Sequence, residues 1–289
     1  MIGKTRQKPE AQVEEVFDEE VGRARGILRR ELPASTAKLR HARRAPPPDL
    51  AEWITHYWMI GWDLRGCEPQ LVENLPHPNI HLVFEEGSKA YVLGVQTSKF
   101  ARVLRGRGQV FGVKFKPGGF RPFLKGSVSS LGDRKIPAKR IFGKAVLDLK
   151  KILTSSCANE EKMEAASAFF RERKPRPDKT IAIADELVKG IFEKRDIKTV
   201  NDLAERARIG KRSIQRIFKN YVGVSPKWVI LRYRLHEVIE QLNSLRTPDW
   251  AQLALELGYF DQAHLINDFK SMVGCTPTQF QRTVAKARS

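Results

Sequence analysis

The chain has 289 residues, 41% of them hydrophobic, which is enough to bury real cores and excludes a wholly disordered protein. Its 52 lysines and arginines against 33 acids give a net charge of +19, which points to a polyanionic partner, nucleic acid first and an anionic membrane second. Cys67, Cys157 and Cys275 form no CxxC or Cys/His cluster, no apolar run is long enough to span a membrane, and the N-terminus lacks the apolar core of a secretory signal. The expectation is a soluble cytoplasmic protein in a reducing compartment, with no disulfide framework, structural zinc or cofactor.

Residues 1–24 are polar and charged, and read as a loose tail with at most a short helix. "RHARRAPPPDL" joins a basic cluster to three prolines and reads as extended. From Trp53 onward, "WITHYWMIGWDL", "NIHLVFEE", "AYVLGVQT" and "QVFGVKFKPGG" are short, aromatic and β-branched, with Gly, Pro or Asn between them. That texture predicts an antiparallel, barrel-like β domain over 25–140. "KAVLDLKKIL" and "EEKMEAASAFFRER" then switch to three- and four-residue apolar spacing, a helical extension over 141–173. "RKPRPDK" supplies a linker at 174–179, and 180–289 reads as helical throughout. The fold class is therefore α+β, a β-rich N-terminal domain followed by an all-α C-terminal domain.

The strongest signal is an internal repeat. "FKNYVGVSPKWV" recurs as "FKSMVGCTPTQF": Phe218 pairs with Phe269, Lys219 with Lys270, Gly223 with Gly274 and Pro226 with Pro277, each offset by 51. Ile214 pairs with Leu265 at 51, but Leu203 pairs with Leu253 at 50, so the second unit carries one extra residue in its turn. Each unit reads as a short helix, a turn and a second helix, about 199–220 and 249–272, joined by a helix over 226–243. Thr199 or Asn201 is the expected cap of the first. Ile214, Ile217 and Phe218 form one apolar stripe, which leaves Lys211, Arg212, Gln215, Arg216 and Lys219 off the core. A helix-turn-helix projects such a second helix into the major groove, where arginine reads guanine and glutamine reads adenine.

"LAERARIGKRSIQRIFKNYVGVSP" and "LALELGYFDQAHLINDFKSMVGCTP" resemble the DNA-binding domain of the AraC/XylS family of bacterial transcription regulators. The resemblance covers about the last third of the chain. It implies two helix-turn-helix units on neighbouring major-groove segments, with recognition helices over Lys211–Lys219 and Gln262–Lys270. It also implies an N-terminal sensor or dimerisation domain, and the segment with "HYWMIGWDL", "LPHPNIHLVFE" and "GVKFKPGGFRPFL" looks like an uncharacterised N-terminal domain of a subgroup of these regulators. On this reading Arg212, Gln215, Arg216, Gln262, Ala263, His264 and Asn267 face base edges. Lys211, Ser213, Lys219 and Lys270 contact phosphate. Asp261 caps the second recognition helix, and Asp268 turns along the protein flank. The family often has arginine where this chain has Asn267, so the second unit is expected to read fewer bases, or to read adenine through Asn267 and Gln262, while the first carries more affinity.

Other constellations carry less. His77 and His81 invite a metal reading, with His56 and Glu85 as conceivable further ligands, but no third ligand is evident and the expectation is no metal. If Asn79 opens a strand, His81 and Val83 share one face while Leu82 and Phe84 share the other. "GRGQVFG" does not fit GxGxxG, so a phosphate cradle is not expected. The window Lys99 to Arg140 holds twelve Lys/Arg against one acid, Asp133, and is read as a solvated basic surface. No catalytic motif appears, and no enzyme is expected. The leading function is a sequence-specific transcription regulator acting on double-stranded DNA as a monomer or homodimer, with RNA polymerase and an unidentified small-molecule effector as candidate partners. The alternatives are a nonspecific or architectural DNA binder and a metal-dependent β-barrel enzyme fused to a DNA-binding domain.

Overall fold

A computed structural model describes residues 12–19, 21, 26–30, 37–243 and 249–288. The first half supplies β1 (Gln12–Phe17), β2 (Ile27–Arg30), β3 (Lys38–Arg44), β4 (Ile54–Asp63), β5 (Gln70–Asn74), β6 (His81–Glu85), β7 (Tyr91–Leu93), β8 (Phe100–Leu104), β9 (Arg107–Phe115) and β10 (Lys135–Pro137). They form a seven-stranded sheet in the order β1-β3-β4-β9-β6-β7-β10 and a three-stranded sheet in the order β2-β5-β8. Both sheets are open, so the barrel-like expectation gives way to two layers: paired strands already meet their hydrogen-bonding needs, and the second faces are covered by packing rather than by closure.

Alternation along the strands assigns each face. Tyr57, Met59, Leu82, Phe84, Phe111, Val113 and Phe115 are buried toward α1 (Lys139–Phe142), α2 (Ala145–Leu153) and α3 (Asn159–Arg171). Phe115, Phe120, Phe123, Phe142 and Phe170 stack edge-on or tilted there, with ring centroids 4.8–6.1 Å apart. Trp62, Val83, Tyr91 and Val110, on the opposite face, pack against Leu104 and Val72 of the small sheet. Gly112 makes this second layer possible: a Cβ there would lie 2.0 Å from the Trp58 indole, so only glycine lets that ring lie across the strand.

Two differences from the sequence expectation stand out. Part of the tail expected to be loose forms β1, pairing in parallel with β3. An edge strand is held by backbone hydrogen bonds, so its polar side chains are no obstacle; Glu14 pairs with Arg40 at 3.0 Å and Asp18 with Arg44 at 3.1 Å. Residues 1–11 lie outside the described residues. The basic window is also only partly solvated. Lys99 pairs with Glu73, Arg102 with Glu85 and Lys116 with Asp185, while Lys114 is half-buried.

The second half is α4 (Lys179–Glu193), α5 (Val200–Ala207), α6 (Lys211–Ile217), α7 (Pro226–Asn243), α8 (Trp250–Glu256), α9 (Gln262–Val273) and α10 (Pro277–Arg288). Two cores flank α7. Leu187, Ile191, Leu203, Ile214, Phe218 and Val229 form the first, and Leu235, Leu242, Leu253, Leu265, Phe269 and Phe280 the second. The half-buried Trp228 packs against both.

Candidate nucleic-acid interface

Both repeats start on side-chain caps. Thr199 accepts from the Asp202 N–H, and the Asp202 carboxylate accepts in return from the Thr199 N–H, so a capping box opens α5. Asp249 accepts from Ala251 and Gln252 at the start of α8, one repeat later. Each cap is worth about 1 kcal/mol, and together they fix where the two helix-turn-helix units begin.

The recognition helices follow. Ile214 and Phe218 in the first unit, and Leu265 and Phe269 in the second, are fully buried and pin α6 and α9 to their own cores. Lys211, Arg212, Gln215, Arg216 and Lys219 are all exposed, while Ser213 is half-buried. On α9, Gln262, Ala263, His264, Asn267 and Lys270 are exposed. Ile217 and Ile266 sit at the edges of the two stripes, each half-buried. The structure thus leaves the sequence-nominated side chains of each helix on its accessible side.

The helices are not copies. α6 closes in a π-type turn over Phe218–Val222, in which the Gly223 N–H bonds back to the Phe218 carbonyl at 2.8 Å. In α9 the matching Gly274 N–H reaches only four residues back, to the Lys270 carbonyl at 2.9 Å. Both glycines take positive φ, +97° and +84°, as a left-handed helix end requires. The wider turn in the first unit meets the β domain, where the Ser127 hydroxyl donates to the Lys219 carbonyl at 2.7 Å.

Asp261 has non-helical backbone angles and accepts from the His264 N–H at 2.7 Å. Its carboxylate offsets the positive end of α9 rather than facing outward to phosphate. Asp268 lies 3.5 Å from the His264 imidazole, one helical turn away, and His264 also meets the Tyr259 ring edge-on at 5.2 Å. His264 is therefore partly engaged with its own domain, unlike Gln262 and Asn267. One residue escaped the sequence reading. Phe260 precedes the cap with 90% of its surface exposed, a large apolar side chain beside the recognition helix. Its signal was available in the repeat, since the extra residue of the second turn falls in this region.

The histidines do other work. Among the described residues no group of three or more His, Cys, Asp and Glu side chains could hold a metal ion. His77 lies 3.2 Å from the Arg232 guanidinium, and His81 accepts from the Trp58 indole N–H at 3.2 Å. The three cysteines are half-buried and form no disulfide among the described residues, and none of the described helices is long and apolar enough to cross a membrane.

Residues 203–283 match the family model described as a helix-turn-helix domain, and residues 42–137 match a domain of unknown function (DUF6597). The C-terminal domain is an AraC-type helix-turn-helix domain. Within it, 86 residues are 30% identical to an uncharacterized HTH-type transcriptional regulator of Haemophilus influenzae, covering 30% of this chain and 28% of that protein. The chain therefore spans well under two thirds of the relative it matches. Among solved structures, the C-terminal domain of AraT, a response regulator from Geobacillus stearothermophilus, aligns at 25% identity and a TM-score of 0.31 over 37% of this chain and 88% of that one. ToxT from Vibrio cholerae aligns at 11% identity and a TM-score of 0.35 over 86% of this chain and 98% of that one. The AraC-type domain is thus preceded by a β-rich domain to which its family match assigns no function.

Proposed function

We propose that this protein is a sequence-specific transcription regulator whose two helix-turn-helix units enter neighbouring major-groove segments of one duplex, under the control of its β domain. The observation that carries this reading is the pairing of two core-anchored recognition helices, α6 and α9, each preceded by a capped helix, across a single continuous helix. With 18 residues, α7 is about 27 Å long, comparable to the roughly 34 Å that separates successive major-groove segments on one side of B-DNA. The net charge of +19 supplies phosphate attraction. Arg212, Gln215 and Arg216 have the donors for bidentate base contacts, and Lys211, Ser213, Lys219 and Lys270 have the donors for phosphate. In the second unit Gln262 and Asn267 read adenine edges, while Ala263 and Phe260 offer apolar contact to thymine methyls. The lower density of cations on α9 makes the first unit the larger contributor to affinity.

Selection of binders from random duplexes, followed by anisotropy on enriched and scrambled DNA, tests this. Arg216→Ala should cost about 1–3 kcal/mol on the enriched site and relax one base position. Lys219→Ala should weaken all sequences alike and lower the salt slope by about 1. Failure to enrich any motif would reduce the protein to a nonspecific binder.

Control by the β domain is supported by its contacts with the ends of both recognition helices and with the helix between them. The domain holds Lys219 as described, its Lys99 N–H donates to the Met272 carbonyl at 2.9 Å, and the Trp228 indole of α7 donates to the Thr97 carbonyl at 3.3 Å. A small-molecule effector or self-association acting on this domain would be felt by both recognition helices.

A further inference from the structure

Three adjacent strands place a row of basic side chains on one face of the large sheet, the face opposite the helices. Lys114 of β9 is registered with His56 of β4 on one side and His81 of β6 on the other. Directly opposed residues in antiparallel strands have Cβ atoms about 5 Å apart, so the three side chains crowd one patch. His56 is almost fully buried, and its Nδ1 has no hydrogen-bond partner. The Nδ1 of His81 accepts from Trp58, which leaves its Nε2 to carry the proton and donate. Lys114 makes no hydrogen bond or ion pair among the described residues.

Charge around the patch is one-sided. Arg43 of β3 and Arg232 of α7 both act on Lys114, and Lys114, Arg43, His81 and His41 all act on His56 in the same sense. The acids that reach this group do so at its rim, Glu15 beside Arg43 and Glu240 beside Arg232. Arg232 is itself buried, with its Nε donating to the Pro76 carbonyl at 2.8 Å. Arg43 and Arg232 each have an acid near them, but no acid acts on Lys114, and a desolvated cation without counter-charge is costly unless an anion completes it.

We propose that the His56–Lys114–His81 row, flanked by Arg43 and by Arg232 of α7, binds the anionic group of a small molecule, a carboxylate or a phosphate. Lys114 supplies the charge, and the His81 Nε2–H supplies a directional donor. The Trp58 ring, which lies over Gly112 and donates to His81, is the apolar surface next to this row. This rests on reading the β domain as the sensing part of a regulator and names what it senses. Burial and the two arginines pull the Lys114 amine down to about 7, while burial, Lys114 and Arg43 hold His81 near 3. Lys114 thus loses its proton close to neutral pH when the site is empty, and an anion would hold that proton in place. Affinity should accordingly be full below pH 7 and decline above it.

The test is thermal unfolding of the whole chain with benzoate, inorganic phosphate or chloride at equal ionic strength. Benzoate or phosphate should raise the Tm at pH 6, the better of the two identifying the anion class, with affinity at least roughly tenfold weaker at pH 8.5. Lys114→Met should abolish the response, Lys114→Arg should keep it, and the exposed Lys89→Met should leave it intact. An equal response in Lys114→Met, or none from either anion at pH 6, would overturn the site. Because DNA selection is read separately, a failed anion response leaves the DNA reading standing, and failed DNA enrichment leaves the site standing.

Discussion

Lys114→Met should make the protein more stable, by an amount that depends on pH. Transferring the amine from water to its place in the fold lowers its pKa from 10.5 to about 7. At 1.36 kcal/mol for each tenfold change, this corresponds to a penalty of roughly 5 kcal/mol on the folded state. Lys114 is only half-buried, so water at its rim reduces the net cost to about 1–3 kcal/mol. The penalty is fully present below pH 7, where folded and unfolded chains are both protonated. Between pH 7 and 10.5 the unfolded chain binds the extra proton, so wild-type stability rises with pH across that window. Methionine has similar length and no charge, and removes the effect. Thermal unfolding of both proteins at pH 6, 8 and 9.5, without added carboxylate or phosphate, measures it. At pH 6 the variant should melt several degrees higher, about 2–4 °C per kcal/mol for a chain of this size, and the gap should narrow steadily as pH rises. A variant no more stable at pH 6, or a gap that is constant with pH, would refute the account of Lys114 as a desolvated cation without a partner.

Other substitutions probe the DNA-reading half. Phe218→Ala and Phe269→Ala remove equivalent, fully buried rings and should each cost about 3–5 kcal/mol in urea unfolding; a cost under about 1 kcal/mol at either would show that its unit is not held by that core. Gly223→Ala forces a side chain onto a φ of +97° and places its Cβ 2.9 Å from Val128, so it should cost at least about 1–2 kcal/mol by the same measurement, and a neutral result would mean the π-type turn relaxes freely. Asp261→Ala removes the α9 cap for about 1 kcal/mol of stability, whereas Asp261→Asn should retain most of it. Should Asp261→Ala instead tighten DNA binding without loss of stability, the carboxylate would be repelling phosphate rather than capping.

The repeat was legible because helix packing imposes the same apolar spacing twice. Ile214 and Phe218 recur as Leu265 and Phe269, and each pair fills the same place against α7. β4, β6 and β9 were legible for a similar reason, since β-branched and aromatic residues alternate along them. Lys114 was not. In "VFGVKFK" it falls between Val113 and Phe115, which are core, so alternation assigns it to the opposite, nominally wet face. Nothing in that local pattern says that β2, β5 and β8, from distant parts of the chain, lie over that face. β1 was missed because edge pairing is a backbone matter and leaves no apolar signature. The closing turn of α6 was missed because nothing in the local pattern marks how closely Gly223 packs beside Val128, where a Cβ would lie 2.9 Å away.

The placement of Arg232 gives the two halves of the molecule a reason to depend on one another. A guanidinium on the helix between the two readers is desolvated until its pKa falls to about 10, yet it is directed at a carbonyl and a histidine of the β domain rather than at a carboxylate. A new negative charge near Lys114 would relieve repulsion on both cations at once, and so would favour the arrangement in which α7 lies against the β domain. The same arrangement holds the ends of both recognition helices, through the Lys219 and Met272 carbonyls. These carbonyls are among the last-turn acceptors that a helix cannot satisfy internally, so releasing the domain would expose them to water without unfolding either unit. A ligand can shift such an equilibrium only by the difference in its affinity for the docked and released forms. Under the proposed site such a difference would come from Arg232, which reaches the β domain only while α7 lies against it. By linkage, whichever form DNA prefers must then alter the affinity for the anion by the same factor that the anion alters the affinity for DNA.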